Sequence, residues 1–462
     1  MRAERRSKVK KTRTFWCAFS VFAIVSMALP LTSVLAARAV KPTPQQISEY
    51  EASTEATRVK LLVNLAKSGQ HGLAESLLKS YPLTGKFGPN RKLYIEGLVL
   101  KANGDLTGAA KKYRAALADD PGLTLVRSEL AQTLFLLQED DSAKHHLNLL
   151  MAEAPSEYEA QGIRSFIDAI DARRPFTFSA YVSAAPSTNV NNGSSIEKVY
   201  ITDDTYIEPG EQQKSGVGFS TGLNAGYSHR LGNDFSVVLA GGFNASIYSD
   251  RDYDVFGASQ SAELRYLLNG GYLGAGLVAS ENMKNDELGL SYYSYGPRVS
   301  LQKAVSAKDR INLSSVYEWR NYPDDSESDG TAFMLDGSWS HAFDSSLITS
   351  VSAGYDRVES GIDYNSYKAI SAGFNVYNEL PMGITADLGA EARFAGFDSV
   401  FPLYGIERED TRWTGTVRLT KRDFNFWGYA PAIEYTYILN DSNIANYHYD
   451  SHSVDFRLSK DF

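Results

Sequence analysis

Beyond residue 40 the chain contains no cysteine. The single one, Cys17, lies inside an apolar run near the N-terminus and is not preceded by a Leu-Ala-Gly-like lipobox. Once that run is removed, disulfides, thiol catalysis and thiolate metal sites are excluded together. Long apolar runs are missing too: no window after residue 40 reaches the ~18 uncharged apolar residues that a membrane-spanning helix needs. Positive charge is not in excess, and the net charge of −9 argues against nucleic acid as a partner. No phosphate loop or dinucleotide fingerprint occurs in a strand–helix context. His229, His341, His448 and His452 fall near predicted strand ends with no nucleophile motif beside them. His145 and His146 are adjacent on one predicted helix, so their side chains diverge by ~100°, make a poor metal pair and are expected on the surface. No enzyme activity, cofactor or metal is therefore expected.

What is present begins at the N-terminus. Arg2, Arg5, Arg6, Lys8, Lys10, Lys11 and Arg13 precede the apolar run Phe15–Leu31, and Val34-Leu35-Ala36 and Ala37-Arg38-Ala39 supply small residues for cleavage. The pattern predicts a signal peptide over 1–39, cut after Ala36 or Ala39, and hence export.

From Pro44 to about Arg174 the hydrophobic period is helical, with abundant Ala and Leu and Gly/Asp turns. Gly97, Gly104, Ala109, Tyr113, Ala116 and Pro121 have the spacing of a tetratricopeptide repeat. Ala131, Ala143, Leu147, Leu150 and Pro155 recur at equivalent positions 34 residues later. Gly69, Ala74 and Leu78 sketch a degenerate earlier copy. Residues 40–174 are thus expected to form an all-α tetratricopeptide-type solenoid in the periplasm, capped by a helix over Ser156–Ala172. In such solenoids the first helix of each unit lines the concave groove, which points to Arg91, Tyr94, Lys101, Ser128, Gln132 and Phe135 as candidate contacts. The alternative, that these are solvated or packed helix residues, stays open.

Over 175–462 the period changes to two, in runs of about 11 to 15 residues closed by turns, the pattern of a transmembrane β-barrel. In Phe235–Tyr248, residues Phe235, Val237, Leu239, Phe243 and Ile247 share one face. Fourteen such runs are predicted, near 175–185, 215–229, 235–248, 255–268, 271–283, 290–305, 310–321, 329–343, 346–358, 366–379, 383–395, 409–421, 426–440 and 449–462. An even number returns both ends to one side of an antiparallel outer-membrane barrel. Short and long connections alternate, the long ones including Pro186–Lys214, Tyr322–Ser328 and Gly396–Glu409. The short set is expected to face the periplasm with the helices, and the acidic long set the exterior.

A charge facing lipid at mid-depth costs ~2–4 kcal/mol. Glu263, Arg265, Glu318, Arg320, Asp387, Glu391, Arg393, Arg412, Arg418, Glu434, Asp455 and Arg457, inward by alternation, are therefore candidate lumen charges. The last run carries Val454, Phe456, Leu458 and the terminal Phe462, an alternation that looks like the signal read by barrel-assembly machinery.

The junction PFTFSAYVSAAPSTNVNNG, Pro175–Gly193, resembles the start of the barrel in the surface lipoprotein assembly modulator (Slam) family. Phe176, Phe178 and Tyr181 form the aromatic-alternating first strand, and Pro186, Ser187, Asn189 and Asn191 the turn that follows. The resemblance implies a periplasmic tetratricopeptide domain joined to a fourteen-stranded barrel. It further implies an outer-membrane translocator for an exported protein or lipoprotein client, with outer-membrane lipid, the assembly machinery and a periplasmic chaperone as further partners. An exopolysaccharide export porin, or a diffusion porin with a periplasmic interaction domain, stays open as the alternative.

Overall fold

The computed structural model describes residues 41–462 except 86–87, 155, 203–204, 209, 285–290, 423, 425–428 and 460–462. The leader, Cys17, both cleavage candidates and Phe462 lie outside the described residues.

Among the described residues eight helices come first: α1 (Pro44–Ala52), α2 (Glu55–Lys67), α3 (His71–Ser80), α4 (Gly88–Ala102), α5 (Leu106–Asp119), α6 (Thr124–Leu137), α7 (Asp140–Met151) and α8 (Glu157–Arg173). Their starts are set by side chains that accept from otherwise orphaned N–H groups: Thr43 for α1, closed as a capping box by Gln46, Thr54 for α2, Asp105 for α5 and Ser156 for α8. The repeat positions are packing positions. Ala109, Ala116 and Ala143 are fully buried, and a Cβ on Gly97 would sit 2.3 Å from the Tyr113 ring, so only glycine lets α4 and α5 approach this closely. One apolar core runs from Tyr50 in α1 to Ile170 in α8.

A closed antiparallel barrel follows, made of β1 (Phe176–Ser187), β4 (Gly216–Leu231), β5 (Phe235–Tyr248), β6 (Val255–Leu268), β7 (Gly271–Lys284), β8 (Tyr292–Ala304), β9 (Asp309–Asn321), β10 (Gly330–Ala342), β11 (Leu347–Ser360), β12 (Tyr367–Leu380), β13 (Ile384–Phe401), β14 (Ile406–Lys421), β15 (Ala430–Ser442) and β16 (Tyr449–Ser459). Each strand pairs with its sequence neighbours in this series, and β1 closes the ring on β16, as in Val182↔Leu458 and Ala184↔Phe456. Closure leaves no open edge. The fourteen strands match the number expected, and two details differ. Strands β2 (Val199–Thr202) and β3 (Thr205–Ile207) form a small hairpin inside the first long connection, where none was expected.

The second difference is a correction: the stretch expected as a long loop, Gly396–Glu409, is mostly strand. Pairing of β13 with β14 continues past a register shift between Gly396 and Val400 to Phe401↔Ile406, and a short turn with Gly405 at φ 69° reverses the chain. The polar residues that suggested a loop are strand residues with partners, as in Arg357–Asp398 at 2.5 Å and Arg408–Asp410 at 2.6 Å.

Candidate functional site at the mouth of the barrel

On the barrel strands the large exposed apolar side chains share one parity, as Phe235, Leu239 and Phe243 do on β5 and Trp413 and Val417 on β14, with Ile406 at the turn end of β14 as the exception. The twelve charges named above take the other parity. Several neutralise one another: Arg265 with Glu263 at 2.5 Å, Arg320 with Glu318 at 2.7 Å, and Arg418 with Glu434. Others take neutral or additional partners. Arg393 pairs with Asp356 at 3.0 Å, Asn375 donates to Asp387 at 2.6 Å, Ser183 donates to Asp455 at 2.8 Å, and the Arg457 guanidinium lies 4.3 Å from the Tyr181 ring centre. Glu391 and Arg412 have no hydrogen bond or ion pair among the described residues. Of the expected assembly signal, Phe456 and Leu458 are exposed on the outward parity that Val454 shares.

The candidate groove contacts fare differently, and two need correction. The Tyr94 ring is buried 6.3 Å from that of Tyr113, and burial pushes its phenol pKa well up; it is a core residue. Phe135 is covered by α8: the Phe166 ring meets it edge-on at 5.3 Å, and the Arg173 guanidinium lies 3.9 Å from its centre. Lys101 reaches both Glu129 at 2.8 Å and Gln132 at 3.2 Å, and Glu129 also takes Lys67 at 2.9 Å. Burial raises the Glu129 pKa, but the two ammonium groups outweigh it and hold the carboxyl below its ordinary range. This polar stripe ties α2, α4 and α6 together. Arg91 pairs with Glu55 at 2.9 Å, and Ser128 is half-buried.

The cluster absent from the sequence reading joins the two halves. Arg127 of α6 is fully buried. It donates to Glu379 Oε2 of β12 at 2.7 Å, to the Pro121 carbonyl at 2.6 Å and, through Nη1, to His146 Nδ1 at 3.3 Å. A guanidinium only donates, so that ring nitrogen is the acceptor. Glu379 Oε1 takes Arg422 at 2.7 Å and Tyr377 Oη at 3.3 Å, with His145 Nε2 at 3.4 Å. Around this centre the turns of the barrel meet helix ends. Met382 and Gly383 adopt φ of 67° and 65°, and the N–H of Gly383 donates at 3.2 Å to the Ala118 carbonyl, one of the acceptors that α5 leaves unpaired at its C-terminus. Ser345 N–H donates to Glu153 at 3.0 Å. His145 thus touches the barrel and His146 packs on Arg127, both half-buried, which corrects the expectation of an open surface.

Asp141, Lys144, His145 and Asn148 of α7 form one side of a cavity of about 630 Å³ whose other walls are residues of β1 and β4–β8, so α7 floors part of the lumen.

Burial, then the neighbouring His145 and Arg127, hold the His146 pKa well below the usual imidazole value. A ring depressed in the folded state costs nothing above its unfolded pKa of 6.5. As the pH falls below that value, the undocked state takes up a proton that the docked state refuses. Taking the protein from about pH 7.5 to about pH 5 is therefore expected to loosen the helical domain. Protease accessibility of α7 should rise, and His146→Asn should flatten that pH dependence. The ring is faced by His145, Glu379, Arg114 and Arg127, and an equally steep profile in the variant would overturn the assignment to His146.

With this geometry in hand, comparison with known proteins is specific. The family model for surface lipoprotein assembly modifiers matches residues 176–462, and a tetratricopeptide-repeat model matches residues 100–165. Surface lipoprotein assembly modifier 1 of Haemophilus influenzae is 23% identical over 84% of this chain and 80% of its own length. The surface lipoprotein assembly modifier of Pasteurella multocida is 23% identical over 90% and 86%. Hemophilin secretion modulator of Acinetobacter baumannii is 21% identical over 80% and 78%. The match to the family model spans the whole barrel and the relatives span both halves, so the chain belongs to the surface lipoprotein assembly modifier family, with tetratricopeptide-type helices joined to a fourteen-stranded barrel.

Proposed function

We propose that the protein is an outer-membrane translocator that receives surface lipoproteins or secreted proteins at a periplasmic helical domain and delivers them to the cell exterior through its barrel. The exposed apolar parity supports a lipid setting, and the closed sheet suits it because closure leaves no strand backbone unpaired in hydrocarbon. The short turns near 232–234, 269–270, 343–346 and 381–383 lie at the end that carries the helices. In outer-membrane barrels that end is periplasmic. Lipid, the barrel-assembly machinery reading the last strand and a periplasmic chaperone are the further partners of this reading. The observation that carries it is the docking of a peptide-binding type of scaffold on one mouth of a closed, charge-lined barrel. The relatives named for surface lipoprotein assembly and hemophilin secretion agree with it.

Deleting the gene is expected to remove one or a few proteins from the surface while their cellular amounts hold, read by protease shaving of intact cells. If every surface protein stays in place and export of a polysaccharide stops, a polysaccharide porin replaces this reading. A change confined to small-solute uptake would favour a diffusion porin.

A further inference from the structure

We propose that the cavity between α7–α8 and the rim of β4–β10 is the intake of the barrel, and that it binds an extended acidic polypeptide segment; this rests on the translocator reading. The cavity is about 1150 Å³ and is lined by the outer faces of α7 and α8 and by the rim strands. In a chain of net charge −9, this lining is basic. Six cations, Lys144, Arg164, Arg230, Arg265, Lys308 and Arg310, face three carboxylates.

The carboxylates are occupied. Asp171 holds Lys144 at 2.7 Å, Asp168 lies 3.6 Å from Arg230, and Asp309 takes Ser306 at 2.6 Å and His341 at 2.8 Å. The Arg310 side chain has no hydrogen bond or ion pair among the described residues. An unpaired guanidinium in a confined, partly dry space attracts carboxylates more strongly than it would in bulk water.

The intake leads inward. Lys144 and Asn148 of α7 line both this cavity and the lumen cavity of about 630 Å³. In the lumen cavity the next free cation is Arg298, whose Nε is buried with no partner. Arg310 pairs in register with Ala304, so Arg298 lies six residues further along β8, roughly 20 Å along the strand. An extended segment of about six residues spans that gap. The wall beside it includes Gly226, Gly242, Ser259, Ser261 and Ser280, which offer hydroxyls and little bulk to a passing backbone. Two unpaired guanidinia along a small-residue wall suit a chain that carries carboxylates at intervals.

The test uses the full chain purified in detergent micelles and a fluorescein-labelled octaglutamate peptide, read by anisotropy. Binding is expected to weaken with salt and to drop about tenfold in the Arg298→Gln, Arg310→Gln double variant. Arg412→Gln, outside both cavities, should bind like the parent chain, and heat-modifiable gel migration checks that each barrel has closed. Equal binding of an octaasparagine peptide, or undiminished binding by the double variant, would overturn the proposal. Displacement of the peptide by phosphatidylglycerol but not by unlabelled octaglutamate would overturn it in favour of a lipid site. Failure of the translocator reading is seen separately: gene deletion would then spare every surface protein while Arg298 and Arg310 still bind the peptide.

Discussion

Glu379→Gln is expected to release the helical domain from the barrel, at a cost of about 3–5 kcal/mol to the docked state. Both members of the Arg127–Glu379 pair have side chains fully out of solvent, and Arg422 takes the second carboxylate oxygen at 2.7 Å. The substitution keeps the shape but removes the anion, leaving two guanidinium groups facing each other through a neutral amide. Removing one partner of a buried pair is more damaging than removing both, because the remaining charge keeps its desolvation cost. A loss of 3 kcal/mol raises the undocked population by roughly 100-fold. The measurement is the rate of tryptic cleavage after Arg173, with barrel closure followed by heat-modifiable migration. Faster cleavage with an intact barrel is the expected result, and Arg127→Met should show it too. Cleavage at the parent rate in both variants would remove the cluster from its role as a latch.

A chain cut back to 175–462 should still reach the membrane and display much less client. Its sheet closes through β1 and β16 without the helices, so the backbone of the barrel is satisfied by itself. What is lost is a docking surface held beside the mouth, which raises the effective concentration of whatever binds it. Losing such a tether lowers delivery by roughly tenfold or more. Client exposure on intact cells is compared at equal amounts of client and barrel. Display at the level of the full chain would show that the helices do not act in delivery. Substituting Lys101 and Gln132 is a poor substitute for the truncation, since these residues hold the α2–α4–α6 stripe together through Glu129.

The local patterns were legible because they are periodic. Alternation of period two gave fourteen strands and placed the twelve strand charges opposite the apolar face, since a residue's side of a strand follows from its position alone. The same holds for the helical repeats, where Gly97, Ala109 and Ala143 are small because helices must approach there. The β13–β14 extension was missed because Asp398 and Arg408 look like loop residues until Arg357 and Asp410 are seen to pair with them. Tyr94 and Phe135 satisfy the spacing of groove residues, yet Tyr113 and α8 cover them. The latch had no local signal. Arg127 and Glu379 stand 252 residues apart, each an ordinary charged residue on its own element, and His146 looks exposed until Arg127 of α6 packs on its ring. Periodicity reports which face of an element is apolar. Which polar residues end up buried depends on partners that only the closed barrel and the docked helices bring within reach.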